Sequence, residues 1–152
     1  MTEIRVVELE EQPTAVMGEQ VPMADLTEFF GRAFATVMEV VGRQGARVAG
    51  PPFAMYHGTP SDTVDVDAGF PVSAPVEAVE GVRAAVLPGG RAAEATHIGP
   101  YDTLAQTYGE MMRWIEEQGL EPGTDMWEQY LTDPETEPDP TNWRTRVLCP
   151  LR

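Results

Sequence analysis

One pattern, strand then helix then strand then strand, occurs twice in this chain of 152 residues, and that repetition restricts the possible folds more than any other feature. The first copy opens at Ile4 to Val21, rich in β-branched residues and interrupted by Glu10, Glu11, Gln12 and Pro13. It reads as one long bent strand or two short ones. A helix follows, with Asp25 as its cap. Leu26, Phe30, Ala33, Val37 and Val41 recur at the three-and-four spacing of one buried face, widened by Phe29, Phe34 and Met38 and stopped by Gly42 and Gly45. After Gly50-Pro51-Pro52, two strands are predicted, Phe53 to His57 and Thr63 to Phe70, joined by a turn at Gly58 to Asp62. Alternating Val and Asp in the second predicts a sheet with one wet face.

Pro71 to Gly81 is a connector. Val82 to Leu87, the turn Pro88-Gly89-Gly90 and Arg91 to Ile98 then predict a β-hairpin. Gly99-Pro100 opens a second helix with Tyr101, Leu104, Tyr108, Met111 and Ile115 on its buried stripe and Gly119 at its end. Met126 to Thr132 and Trp143 to Cys149 are the last two strands, separated by the acidic, Pro-rich stretch Asp133 to Pro140. The expectation is a single α+β domain of duplicated βαββ units with pseudo-two-fold symmetry, one unit at about 3–72 and the other at about 82–151. Two helices would cover an antiparallel sheet, and the seam between repeats would form a central ligand cleft.

Charge and composition remove several functions. Ten basic against 25 acidic residues leave a formal charge of −15, which repels phosphate backbones and anionic headgroups, so neither nucleic acid nor membrane is expected as a partner. Every basic residue is Arg, which excludes lysine Schiff-base chemistry and the lysine of a phosphate-binding loop. The single Cys149 forms no internal disulfide, and with only His57 and His97 beside it no metal site or cofactor is expected. The apolar stretches are too short to span a bilayer, and the first residues lack a signal-peptide pattern, so a cytoplasmic protein is expected.

The chemistry concentrates near Glu128. On a strand, Met126, Glu128 and Tyr130 share one face while Trp127, Gln129 and Leu131 take the other. A carboxylate among such large side chains is partly desolvated and prefers a cationic guest or a proton. Phe53, Tyr56, Tyr101, Tyr108 and Trp143 are candidate walls, because aromatic faces attract cations by roughly 0.5–2 kcal/mol each. The remaining acids between Glu116 and Asp139 serve solubility, and His97, ending a strand just before a helix, is expected to make a structural hydrogen bond.

At three places the chain resembles the GyrI-like small-molecule-binding domain, the effector-binding domain of AraC- and MerR-type regulators such as BmrR. They are Pro51 to Gly58, His97 to Leu104, and Glu128-Gln129-Tyr130-Leu131-Thr132-Asp133-Pro134. The resemblance implies a cleft in which a late-strand glutamate, here Glu128, meets lipophilic cations stacked between aromatic rings, with Tyr56 and Tyr130 matching two of its tyrosines. The regulators carry a helix-turn-helix module that this sequence lacks, so a stand-alone drug-binding or sequestering protein is implied, acting as a monomer or weak dimer. Some stand-alone relatives resemble hydrolases that open the cyclopropane of DNA-alkylating natural products. In that alternative Glu128 positions or deprotonates a water while Tyr56 or Tyr130 donates to the developing oxyanion.

Overall fold

A computed structural model describes residues 3–58, 62–79, 81–132 and 136–152. The chain runs β1 (Ile4–Leu9), β2 (Gln12–Pro22), α1 (Leu26–Arg43), β3 (Phe53–His57), β4 (Thr63–Pro71), β5 (Val82–Leu87), β6 (Gly90–Ile98), α2 (Leu104–Glu117), β7 (Asp125–Tyr130) and β8 (Arg144–Pro150). It is an α+β fold whose strand pairs are all antiparallel among the described ladders. Its contacts divide into two units, one from Glu10 to Gly89 and the other from the chain up to Leu9 together with Gly90 onward.

In the first unit, β2 pairs with both β4 and β5, and β3 pairs with β4, which gives the order β3-β4-β2-β5. Helix α1 covers one face, where Val37, Val40 and Val41 pack on Ala15, Phe70, Val72, Val76 and Val82. Burying each large aliphatic or aromatic side chain of this kind stabilises by roughly 1.5–3 kcal/mol. Phe29, Ala33 and Val37 form the buried stripe of α1, whereas Met38 faces solvent, so the apolar face is narrower than the spacing predicts. Asp25 occupies the N-cap position, but its side chain makes no capping hydrogen bond.

In the second unit, β6 pairs with β1 and β8, and β7 pairs with β8, which gives the order β1-β6-β8-β7. Leu104, Met111 and Ile115 of α2 pack on Ala93, Ala95, Val147 and Cys149. Both helices end alike. Gly45 and Gly119 adopt φ of 72° and 70°, and the amides of Ala46 and Leu120 reach back to the carbonyls of Val41 and Ile115. Glycine tolerates that left-handed turn without the Cβ penalty, which is why the helices stop there.

Two expectations are corrected. Val82 to Leu87 and Arg91 to Ile98 do not form a hairpin with each other: β5 pairs with β2, and β6 pairs with β1 and β8. The two strands belong to different units, and each is taken up by partners remote in sequence. Tyr101 and Trp143, expected on the helix stripe and in the last strand, instead sit in a 3-10 turn (Tyr101–Thr103) and just after another (Pro140–Asn142). The turns expected at Gly58 to Asp62 and Asp133 to Pro140 contain Thr59, Pro60 and Ser61 and Asp133, Pro134 and Glu135, which lie outside the described residues, as do the last two positions of the late-strand motif.

Candidate functional site

The ladder register fixes which side chains share the α2-covered face. Ala95 of β6, Val147 of β8 and Glu128 of β7 form one row across the sheet; His97, Thr145 and Tyr130 form the next. Side chains directly opposite one another in such a ladder have Cβ atoms about 4.5–5.5 Å apart. Glu128 is therefore held on the apolar side of a strand, only 5% exposed.

Its two oxygens are each met by a tyrosine. Tyr108, on the turn of α2 above the sheet, donates its hydroxyl to Oε1, and Tyr130, two residues along the same strand, donates to Oε2 at 2.8 Å. Burial pushes the Glu128 carboxyl above the usual glutamate value; the two tyrosine hydroxyls and the nearby His97 pull the other way without cancelling it. Around Tyr130 the rings continue outward. Tyr101 meets it edge-on at 5.8 Å between centroids and lies 5.0 Å from the Trp143 ring, whose indole N–H donates to the Glu137 carbonyl. Tyr101 is 38% exposed, so this group of rings reaches the surface. Met126 packs against the core under α2.

His97 is buried and its ring is fully engaged. Nε2 lies 3.1 Å from the Pro100 carbonyl and 2.9 Å from the Thr103 hydroxyl. The carbonyl only accepts, so Nε2 carries a proton, and Nδ1 shares a hydrogen bond with the Thr107 hydroxyl at 2.6 Å.

Of the residues expected at the site, Glu128, Tyr130, Tyr108, Tyr101, Trp143 and Met126 thus all belong to the second unit. Phe53 and Tyr56 belong to β3 of the first. Phe53 is opposite Gly69 and Tyr56 opposite Val66, so they point to opposite faces of that sheet, Tyr56 toward the α1 side.

Two further buried carboxylates were hidden in the sequence. Glu94, on the helix-free face of its unit, accepts from Arg5 Nε at 2.9 Å and Arg146 Nε at 2.7 Å, and Arg146 also holds Gln129. Burial pushes its carboxyl up, and the two arginines more than reverse this, leaving it below the usual value. Asp67, expected on a wet face, is buried on the helix-free face of the other unit, with Arg83 at 2.6 Å and His57 at 2.9 Å. It lies flat over Gly18, where an added Cβ would come within 2.2 Å of its Oδ1. The signal for Glu94 was an acid set in a run of alanines, but its partners are remote in sequence. Among the described residues no group of three or more His, Cys, Asp or Glu is placed to hold a metal.

The family model for the GyrI-like small molecule binding domain matches residues 2–152. The chain belongs to that family. A search of curated proteins finds no match. Among solved structures, the C-terminal domain of EcmrR superposes with a TM-score of 0.89 at 20% identity, covering 100% of this chain and 98% of that one. In the EcmrR–DNA complex the same fold aligns at 22% identity and a TM-score of 0.89, covering 99% of this chain but only 57% of the regulator. SAV2435 bound to tetraphenylphosphonium aligns at 10% identity with a TM-score of 0.71, covering 99% and 94%, and a hydrolase encoded by lin2189 from Listeria innocua at 13% with 0.67, covering 99% and 92%. At these identities the likeness is one of fold. Within this GyrI-like domain no described helix is long and apolar enough to cross a membrane.

Proposed function

We propose that this GyrI-like domain captures lipophilic aromatic cations, with Glu128 as the anionic centre. One contrast supports the reading. Three carboxylates are buried among the described residues; Asp67 and Glu94 each have arginine partners, whereas Glu128 has only the hydroxyls of Tyr108 and Tyr130. A buried carboxylate with no arginine paired to it is expensive to ionise, and a cationic guest offsets that expense. Rings at Tyr130, Tyr101, Trp143 and Tyr108 would add about 0.5–2 kcal/mol each to the attraction of the carboxylate. The tetraphenylphosphonium bound to SAV2435 is a cation of this class. Calorimetry with tetraphenylphosphonium is the test: Glu128→Gln should weaken binding about tenfold, and equal affinities would count against the assignment.

A second reading is hydrolysis of a cyclopropane-bearing alkylator, favoured by the pairing of a carboxyl held above its usual value with tyrosine hydroxyls. Water would add its oxygen to the cyclopropane carbon and give its proton to Glu128. The breaking C–C bond would send its electron pair to the conjugated carbonyl oxygen, which the Tyr130 hydroxyl, turned from Glu128 to the substrate, would protonate. Mass spectrometry of such compounds after incubation decides it: a mass gain of one water supports the reading, and intact compound across a panel removes it.

A further inference from the structure

The Thr145 hydroxyl is fully buried and has no hydrogen-bond partner among the described residues. Buried polar groups are almost always satisfied, so each exception requires an explanation. Two other atoms share this state, Thr14 Oγ1 and Trp127 Nε1, but both lie on helix-free faces. Thr145 lies on the α2-covered face, in the row between His97 and Tyr130 and diagonally beside Glu128.

None of its polar neighbours on this face bonds to it, and those neighbours have partners of their own. Both His97 nitrogens are taken by Thr107 and by Pro100 with Thr103, and the Tyr130 proton goes to Glu128. Valine has nearly the same shape and would fill this position without an orphaned oxygen. Tyr130 is the element that closes both groups at once: it stands opposite Thr145 and caps Glu128 Oε2, while its outer edge meets the half-exposed Tyr101.

We propose that Thr145 is a second hydrogen-bonding position of the Glu128 site, taking a neutral polar group of the ligand whose positive charge meets Glu128. The inference rests on the capture of aromatic cations proposed above and specifies that ligand further. It carries a phenol, aryl amine or aryl ketone about 5–8 Å from its cationic centre, the separation of neighbouring and diagonal side chains on one sheet face. A threonine hydroxyl both donates and accepts, so it serves all three groups.

The experiment compares tetraphenylphosphonium with its hydroxyphenyl analogue, two cations that differ by one hydroxyl. The unaltered protein should bind the analogue about three- to tenfold more tightly, the worth of one net hydrogen bond. Thr145→Val should bring the ratio of the two affinities close to one, and Thr145→Ser should keep it. An unaltered protein that binds both cations equally overturns the proposal, whatever the variants do, and so does a ratio that survives in Thr145→Val. If neither cation binds the unaltered protein, capture of aromatic cations itself fails, and the role of Thr145 falls with it.

Discussion

The Tyr130 hydroxyl donates to Glu128 Oε2 at 2.8 Å from a position two residues further along the same strand, so acid and cap rise from one face of β7 side by side. The hydroxyl favours the carboxylate over the carboxylic acid. Removing it in Tyr130→Phe should therefore drive the Glu128 carboxyl higher still. Cation affinity depends on the ionised form, so it should rise with pH through the raised value and then level off, and Tyr130→Phe should move that midpoint upward. A calorimetric pH series reads both, and the slope should vanish in Glu128→Gln.

Stability should respond to the same group with the opposite sign. A carboxyl raised in the folded state favours folding while protonated, and the advantage is lost as pH rises through the folded value. Denaturant midpoints for the unaltered protein and for Glu128→Gln should converge in acid and separate in the variant's favour toward neutral pH. Parallel curves would contradict the burial of an ionisable side chain at this position.

Glu94 should behave in reverse. Its lowered carboxyl contributes stability that is present above the unfolded value and lost as pH falls through the folded one. Arg146 is 29% exposed and Arg5 is 66% exposed, so the two partners are unequal. Arg146→Met should cost about 2–3 kcal/mol, since it leaves a buried charge half-compensated and frees Gln129. Arg5→Met should cost about 1 kcal/mol or less. Urea titration of both variants measures the difference.

Gly18→Ala should destabilise by about 1–3 kcal/mol, because the new methyl displaces the Asp67 carboxylate from Arg83 and His57. Thermal melting of the variant checks this, and a second replacement, Asp67→Asn, should soften the penalty by weakening what the methyl disrupts.

Cys149 is buried against α2, and burial pushes its thiol up to about 11. At neutral pH it should resist iodoacetamide in the folded protein and react fully in denaturant, as peptide mass mapping would show.

Much of the fold was legible because local rules and tertiary packing agree along most of the chain. The helix ends at Gly45 and Gly119, the strand Phe53 to His57 and the shared face of Met126, Glu128 and Tyr130 follow from spacing alone. The hairpin expectation erred because turn residues report only on the local link, whereas β5 and β6 pair with strands remote in sequence. The buried acids Asp67 and Glu94 escaped because their partners come from other strands, and alternation of Val with Asp describes a wet face equally well as a clamped one. Thr145 and Thr107 escaped for a different reason: a threonine in a strand or helix gives no sign of its hydrogen bonding until register is known.

Arg5 and Arg83 sit on β1 and β5, the last strand of each unit's sheet, and each reaches inward to a buried acid. An outermost strand riveted in this way resists peeling, and its projecting guanidinium discourages another chain from adding itself along the open backbone. Acid or high salt loosens such rivets first, so self-association of this protein should begin at its borders under those conditions, before the interior beneath either helix gives way.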